Sequence, residues 1–180
     1  MAVEHVWPRG QRWLHWATAA LVLLAFVLAW IMVALPFRPL LLKFSLYQAH
    51  KTIGLLVIAL IVGRIAIRAI RGRPPWDTGI SPMQRRLAAT GHAALYLLLL
   101  IVPILGYLVA ATSPLPVPTL LFGLLPIPHI HGPDRALFAL LRPLHMLAAI
   151  ALVALALGHA ALAIHHHRTG SNILRRMWRG

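Results

Sequence analysis

Residues 142–168 read RPLHMLAAIALVALALGHAALAIHHHR. Between the flanking arginines the stretch is almost wholly Ala, Leu, Ile and Val, the composition of a helix in a bilayer. A bilayer-spanning helix needs about 20 mostly apolar residues, and this stretch supplies them. It also holds His145 and His159, fourteen residues apart, and then the run His165, His166 and His167. An ionisable side chain inside a span costs free energy, so it marks function by default. At about 1.5 Å per residue, His145 and His159 are separated by roughly 21 Å along the helix axis. At about 100° per residue, fourteen steps return to within about 40° of the starting face. One helix therefore presents two imidazoles on one stripe, near opposite membrane surfaces.

The rest of the chain agrees. Of 180 residues, 60% are hydrophobic and 11% are charged. Soluble domains carry about 25% charged residues, so a water-soluble fold is excluded. Net charge is +14. A basic chain can signal nucleic acid, but this apolar content directs the arginines to membrane surfaces instead. No cysteine is present, which removes disulfides, thiolate metal sites, iron–sulfur clusters and covalent c-type haem attachment. Histidine is the chief remaining nitrogen ligand, and there are 11.

Four segments qualify as spans: residues 13–35, 46–67, 87–111 and 136–164. The expected fold is an all-α four-helix transmembrane bundle forming one domain over residues 1–180. Arg9, Arg12, Arg64, Arg68, Arg71, Arg73, Arg85, Arg86, Arg168, Arg175, Arg176 and Arg179 fall on one side, and Arg38, Lys43, Lys51, Arg135 and Arg142 on the other. The excess marks the cytoplasmic face. Both termini are then inside, and the first and third loops face outward. The first apolar run is longer than a signal-peptide core and reads as a full span. The third loop (SPLPVPTLLFGLLPIPHIHGPDR, residues 113–135) is rich in proline and glycine. Its LLFGLL core suits the membrane interface but is too short to cross.

Depth sorts the histidines. His50 and His145 lie toward the outer side; His15, His92 and His159 lie toward the inner side. His50 is the outer partner for His145, whereas His15 and His92 both remain candidates for His159. Two stacked bis-histidine sites suggest two b-type haems, whose apolar rings fill a bundle core and whose iron takes an imidazole from each face. Haem propionates are anionic and call for Arg or Lys at the surface. Gly54 and Gly158 are candidates for letting a flat ring approach the backbone. Structural zinc wants four ligands in one place, which the depth sorting opposes. His129 and His131 read as solvated loop residues. Trp13, Trp16, Trp30 and Trp178 read as interfacial anchors.

RWLHW (residues 12–16), AHKTIGLLVIALIVGRIAIR (49–68), TGHAALYLLLLIVPILGYL (90–108) and LHMLAAIALVALALGHAALAIHHHRTGSNILRRMW (144–178) resemble the bacterial cytochrome b561 family, in order and over nearly the whole chain. The resemblance implies four helices, two haems b and electron exchange with quinone. It pairs His15 with His159 at the inner haem and His50 with His145 at the outer one, and it makes His92 a non-ligand. It implies quinone near the inner haem, with His166 and His165 contributing; His92, Arg12 and Trp16 are candidates for lining the site. Two features depart from the family pattern: Met146 stands where an acidic residue usually follows the outer histidine, and the third loop is long and proline-rich.

Six-coordinate iron suits electron transfer rather than substrate binding. The resemblance, to members of the family that act on superoxide, makes superoxide oxidase the expected activity: superoxide leaves as dioxygen at the outer face, and ubiquinone becomes ubiquinol near the inner one. Lys51, Arg142 and Arg38 are the candidates for steering the superoxide anion. The competing reading is a haem-bearing anchor subunit for a periplasmic redox protein, docked on the third loop. A histidine-based metal transporter comes third, because the spans hold few other polar residues.

Overall fold

The computed structural model describes residues 7–36, 38–72, 75–76, 80–115, 117–170 and 173–178. Arg73 and Arg179, counted above for orientation, lie outside the described residues. Four long helices form: α1 (Arg9–Ala34), α2 (Leu40–Arg71), α3 (Pro82–Thr112) and α4 (Arg135–Arg168). Each is long and apolar enough to cross a membrane. Every one runs several residues past its expected span, because Arg, Lys and Pro at the ends continue the helix beyond the apolar stretch. A short hairpin, β1 (Thr119–Leu121) and β2 (Leu125–Ile127), and a terminal helix, α5 (Ile173–Trp178), complete the described elements.

Local chemistry sets the ends. Ser81 caps α3 in a reciprocal capping box with Gln84, and Pro82 occupies the first turn, where its missing N–H costs nothing. The Asp134 carboxylate accepts from Leu137 N at 3.0 Å and opens α4. α2 stops at Gly72, whose φ is 67°.

α1 packs chiefly on α2 and α3 on α4, with a further α2–α3 seam and little direct α1–α4 contact. Ile53, Val57, Ile61, Leu99 and Leu152 form the core, with Val22, Ala25 and Tyr96 packed against it. Little else of the spans is buried. Leu23, Leu97, Ile150 and Leu157 all stand exposed, a surface that hydrocarbon covers in a membrane helix. The helices run antiparallel, so the N-terminal end of α1 meets the C-terminal end of α2. The Gln11 amide donates to Arg64 O there at 2.8 Å.

Candidate functional site

The bundle brings together two pairs of imidazoles. On one side, His50 of α2 and His145 of α4 have ring centroids 6.3 Å apart and planes at 84°. On the other, His15 of α1 and His159 of α4 have centroids 6.3 Å apart and planes at 72°. The fourteen-residue spacing on α4 thus serves two different partner helices. His92 joins the inner group through His159, at 5.2 Å between ring centroids, so spatial proximity alone leaves two neighbours for His159.

Hydrogen bonds distinguish the pairs. His50 Nδ1–H donates to Ala25 O at 3.0 Å, and His145 Nδ1–H donates to Val102 O at 3.0 Å. Each bond fixes the tautomer and leaves Nε2 as the free lone pair. His15 differs: its Nδ1 lies 3.2 Å from Arg64 Nη2. Arg64 also stacks its guanidinium over Tyr96 at 5.2 Å, and its Nε is buried with no hydrogen-bond partner. His92 Nδ1–H donates to Ala88 O at 2.6 Å within its own helix. Among the described residues, no group of three or more His, Cys, Asp or Glu side chains could hold a metal ion.

Sequence reading missed several participants. Arg64 counted only toward orientation, although it follows His50 by fourteen residues, the same interval that separates His145 from His159. Gly106 lies against an imidazole: an added Cβ there would sit 2.9 Å from His145 Cε1. His129 is not a free loop residue. Its Nε2 pairs with Thr119 Oγ1 at 2.9 Å, and its ring lies 6.0 Å from that of Tyr107. Partial burial, and then the nearby Lys51 ammonium, lower its pKa.

The other expected residues separate. The Lys51 ammonium is held by Val117 O and Pro118 O at 3.4 and 3.3 Å. Arg142 and Arg38 are exposed. Trp16 Nε1 donates to Met177 O at 3.1 Å, and its ring meets Trp178 edge-on at 5.1 Å, which ties α1 to α5. Arg12 is half-buried one turn before His15. The rings of His165 and His166 are 5.8 Å apart. His166 follows His159 by seven residues, two turns along the same face. A cleft of about 280 Å³ between α2 and α3 is lined by Ile65, Arg68, Ala89, His92, Ala93 and Tyr96.

The prokaryotic cytochrome b561 family model matches residues 6–180. The chain belongs to that family. It is 33% identical over 157 residues to cytochrome b561 homolog 2 of Escherichia coli (strain K12), covering 85% of this chain and 80% of that one. It is 31% identical over 166 residues to a probable superoxide oxidase CybB of Yersinia pestis, covering 91% and 90%. Membership makes this a multi-pass membrane electron-transfer protein and implies b-type haem.

Proposed function

We propose that the chain is a di-haem b oxidoreductase, with His50 and His145 as axial ligands of an outer haem and His15 and His159 as those of an inner one. The ring spacing carries this reading. Two metal–imidazole bonds of about 2 Å each, plus the distance from nitrogen to ring centre at both ends, add up to about 6 Å, close to the 6.3 Å found in both pairs. The Nδ1 bonds of His50 and His145 leave Nε2 for iron, and the buried Nε of Arg64 is a donor suited to a propionate. When bound, haem with two imidazole ligands supplies one-electron transfer at a coordinatively full iron.

The activity we assign is superoxide oxidase. Two superoxide anions each lose one electron and leave as dioxygen; one ubiquinone takes both electrons and two protons and leaves as ubiquinol. Lys51, tethered beside His50, attracts the anion, and Arg142 and Arg38 extend the positive face. On the quinone side, His166 and His165 hold a carbonyl or relay a proton, with Arg12 and Trp16 nearby. His92 borders the α2–α3 cleft, which gives a lipid-borne ring a lateral approach. The protein works as one unit over residues 1–180 in a bacterial inner membrane, with both termini cytoplasmic. The likeness to a relative described as a probable superoxide oxidase supports the assignment.

The test begins with haem per polypeptide and oxidised-minus-reduced spectra of the purified chain. Two low-spin haems b per chain are expected; one or none overturns the ligand assignment. Superoxide consumption by quinone-loaded protein then has to exceed uncatalysed dismutation. If it does not, the reading as an electron-transfer subunit for a periplasmic redox protein takes its place.

A further inference from the structure

The hairpin of the third loop is built onto α2 in a specific way. Gln48 and Thr52, one turn apart on α2, act as the missing neighbour of β1. Gln48 accepts from Leu120 N at 2.9 Å and donates to Pro118 O at 2.8 Å. Thr52 accepts from Phe122 N at 3.1 Å and donates to Leu120 O at 3.3 Å. β2 covers the other edge, in the register Thr119–Ile127, Leu120–Pro126 and Leu121–Leu125. Gln48, Thr52 and Thr119 are all buried. Open strand edges are not tolerated in hydrocarbon unless protein satisfies their backbone groups, and here protein side chains satisfy the α2-facing edge.

The contacts also give direction. Pro118 and Leu120 pair with Gln48, then Leu120 and Phe122 pair with Thr52, so β1 runs alongside α2 in the same sense. The apolar span of α2 starts at residue 46, so at about 1.5 Å per residue Thr52 lies roughly 9 Å into it. The hairpin therefore runs inward from the outer surface, alongside the outer part of the span. Its tip is Phe122, Gly123 and Leu124, tightened by positive φ at Phe122 (54°) and Gly123 (74°). Phe122 is 66% exposed, Leu124 85% and Leu125 58%.

We propose that the hairpin Thr119–Ile127 is a membrane-embedded lid whose tip, Phe122 to Leu125, inserts among the acyl chains of the outer leaflet. It closes the lipid side of the His50–His145 site, and its Val117 and Pro118 carbonyls hold the Lys51 ammonium in place. The occupant is lipid rather than protein. The tip points along α2 in the direction of the bilayer, not away from it, and its side chains are apolar and exposed.

The chain has no cysteine, so single-cysteine labelling is clean. The full-length L124C, G132C and I150C variants carry a nitroxide in proteoliposomes. Gly132 is exposed in the outer loop and Ile150 is exposed within α4, giving a water reference and a hydrocarbon reference. Collision rates with dissolved oxygen and with a water-soluble nickel chelate are compared. The expected result is an oxygen-to-nickel ratio at residue 124 several-fold above that at 132 and close to that at 150. A ratio matching residue 132 overturns the proposal, because the tip then stands in water. Shielding from both reagents also overturns it, because protein then covers the tip.

Discussion

Gly106 of α3 lies directly against the ring of His145: a Cβ placed on it would fall 2.9 Å from Cε1 and 3.4 Å from Nδ1. The neighbouring Val102 carbonyl accepts from the same ring at 3.0 Å, so ring and backbone cannot easily separate. Overpacking a tight contact costs about 1–3 kcal/mol. Gly106→Ala should therefore displace His145 and disturb the outer site alone. Haem per chain should drop toward one, with the inner signal unchanged in a redox titration. Gly132→Ala is the control, since Gly132 is exposed in the third loop and nothing lies within 4 Å of a Cβ there.

The pairings predict which histidines can be lost separately. His50→Ala or His145→Ala should abolish the outer haem and keep the inner one; His15→Ala or His159→Ala should do the reverse. His92→Ala should keep both, because the inner haem is assigned to His15 and His159. The imidazole planes stand at 84° and 72°, and near-perpendicular axial planes give ferric haem a strongly anisotropic low-spin signal. Electron paramagnetic resonance of the oxidised protein checks this, and signals characteristic of parallel planes would contradict it.

Gln48 offers a stability prediction. Gln48→Leu keeps the volume but strips partners from Leu120 N and Pro118 O. Each buried backbone group left unpaired costs about 1–3 kcal/mol. The expected outcome is a loosened hairpin, read as faster amide exchange over residues 119–127, while the four helices keep their protection.

The four helices were legible because twenty-residue apolar runs have few alternative structures, and the depth of each histidine followed from the spans. The pairing of His50 with His145 was legible for the same reason. His15 against His92 was not, since both lie at one depth and both rings stay close to His159 in the bundle; the choice of His15 rests on the family resemblance. The hairpin escaped notice because LLFGLL has neither the alternation of a half-buried strand nor an Asn-Gly turn. Its order comes from Gln48 and Thr52, some seventy residues away in sequence. Gly106 looked like an ordinary helix glycine until His145 was seen against it.

His129 predicts a pH dependence outside the spans. Burial and the Lys51 ammonium hold its pKa below the ordinary value, which is about 6.5. Its neutral form is thus favoured when the hairpin is docked. The docked state is at full strength above the ordinary value and weakens as pH falls below it, because the released loop binds the proton more readily. Mobility of a label at residue 124 should rise on acidification. His129→Gln should flatten that rise, and an unchanged profile in the variant would assign it to another group.

Arg64 sets the two sites apart electrostatically. His50 and His145 each face a carbonyl oxygen through Nδ1, whereas Nδ1 of His15 faces a guanidinium at 3.2 Å. Arginine stays protonated at any accessible pH. A fixed cation in a low-dielectric site disfavours the more positive, ferric state of a nearby iron and so raises its midpoint potential. A carbonyl drawing on the Nδ1 proton acts oppositely, since it makes the ring a stronger donor. The inner site should then have the higher potential, and electrons entering at the outer face run downhill toward the quinone side. Arg64→Leu should move the inner midpoint to more negative values and leave the outer one in place, whereas Arg64→Lys should restore most of the difference. Equal shifts at both sites would mean that the substitution had disturbed the bundle as a whole. No shift at either would remove Arg64 from the electron path.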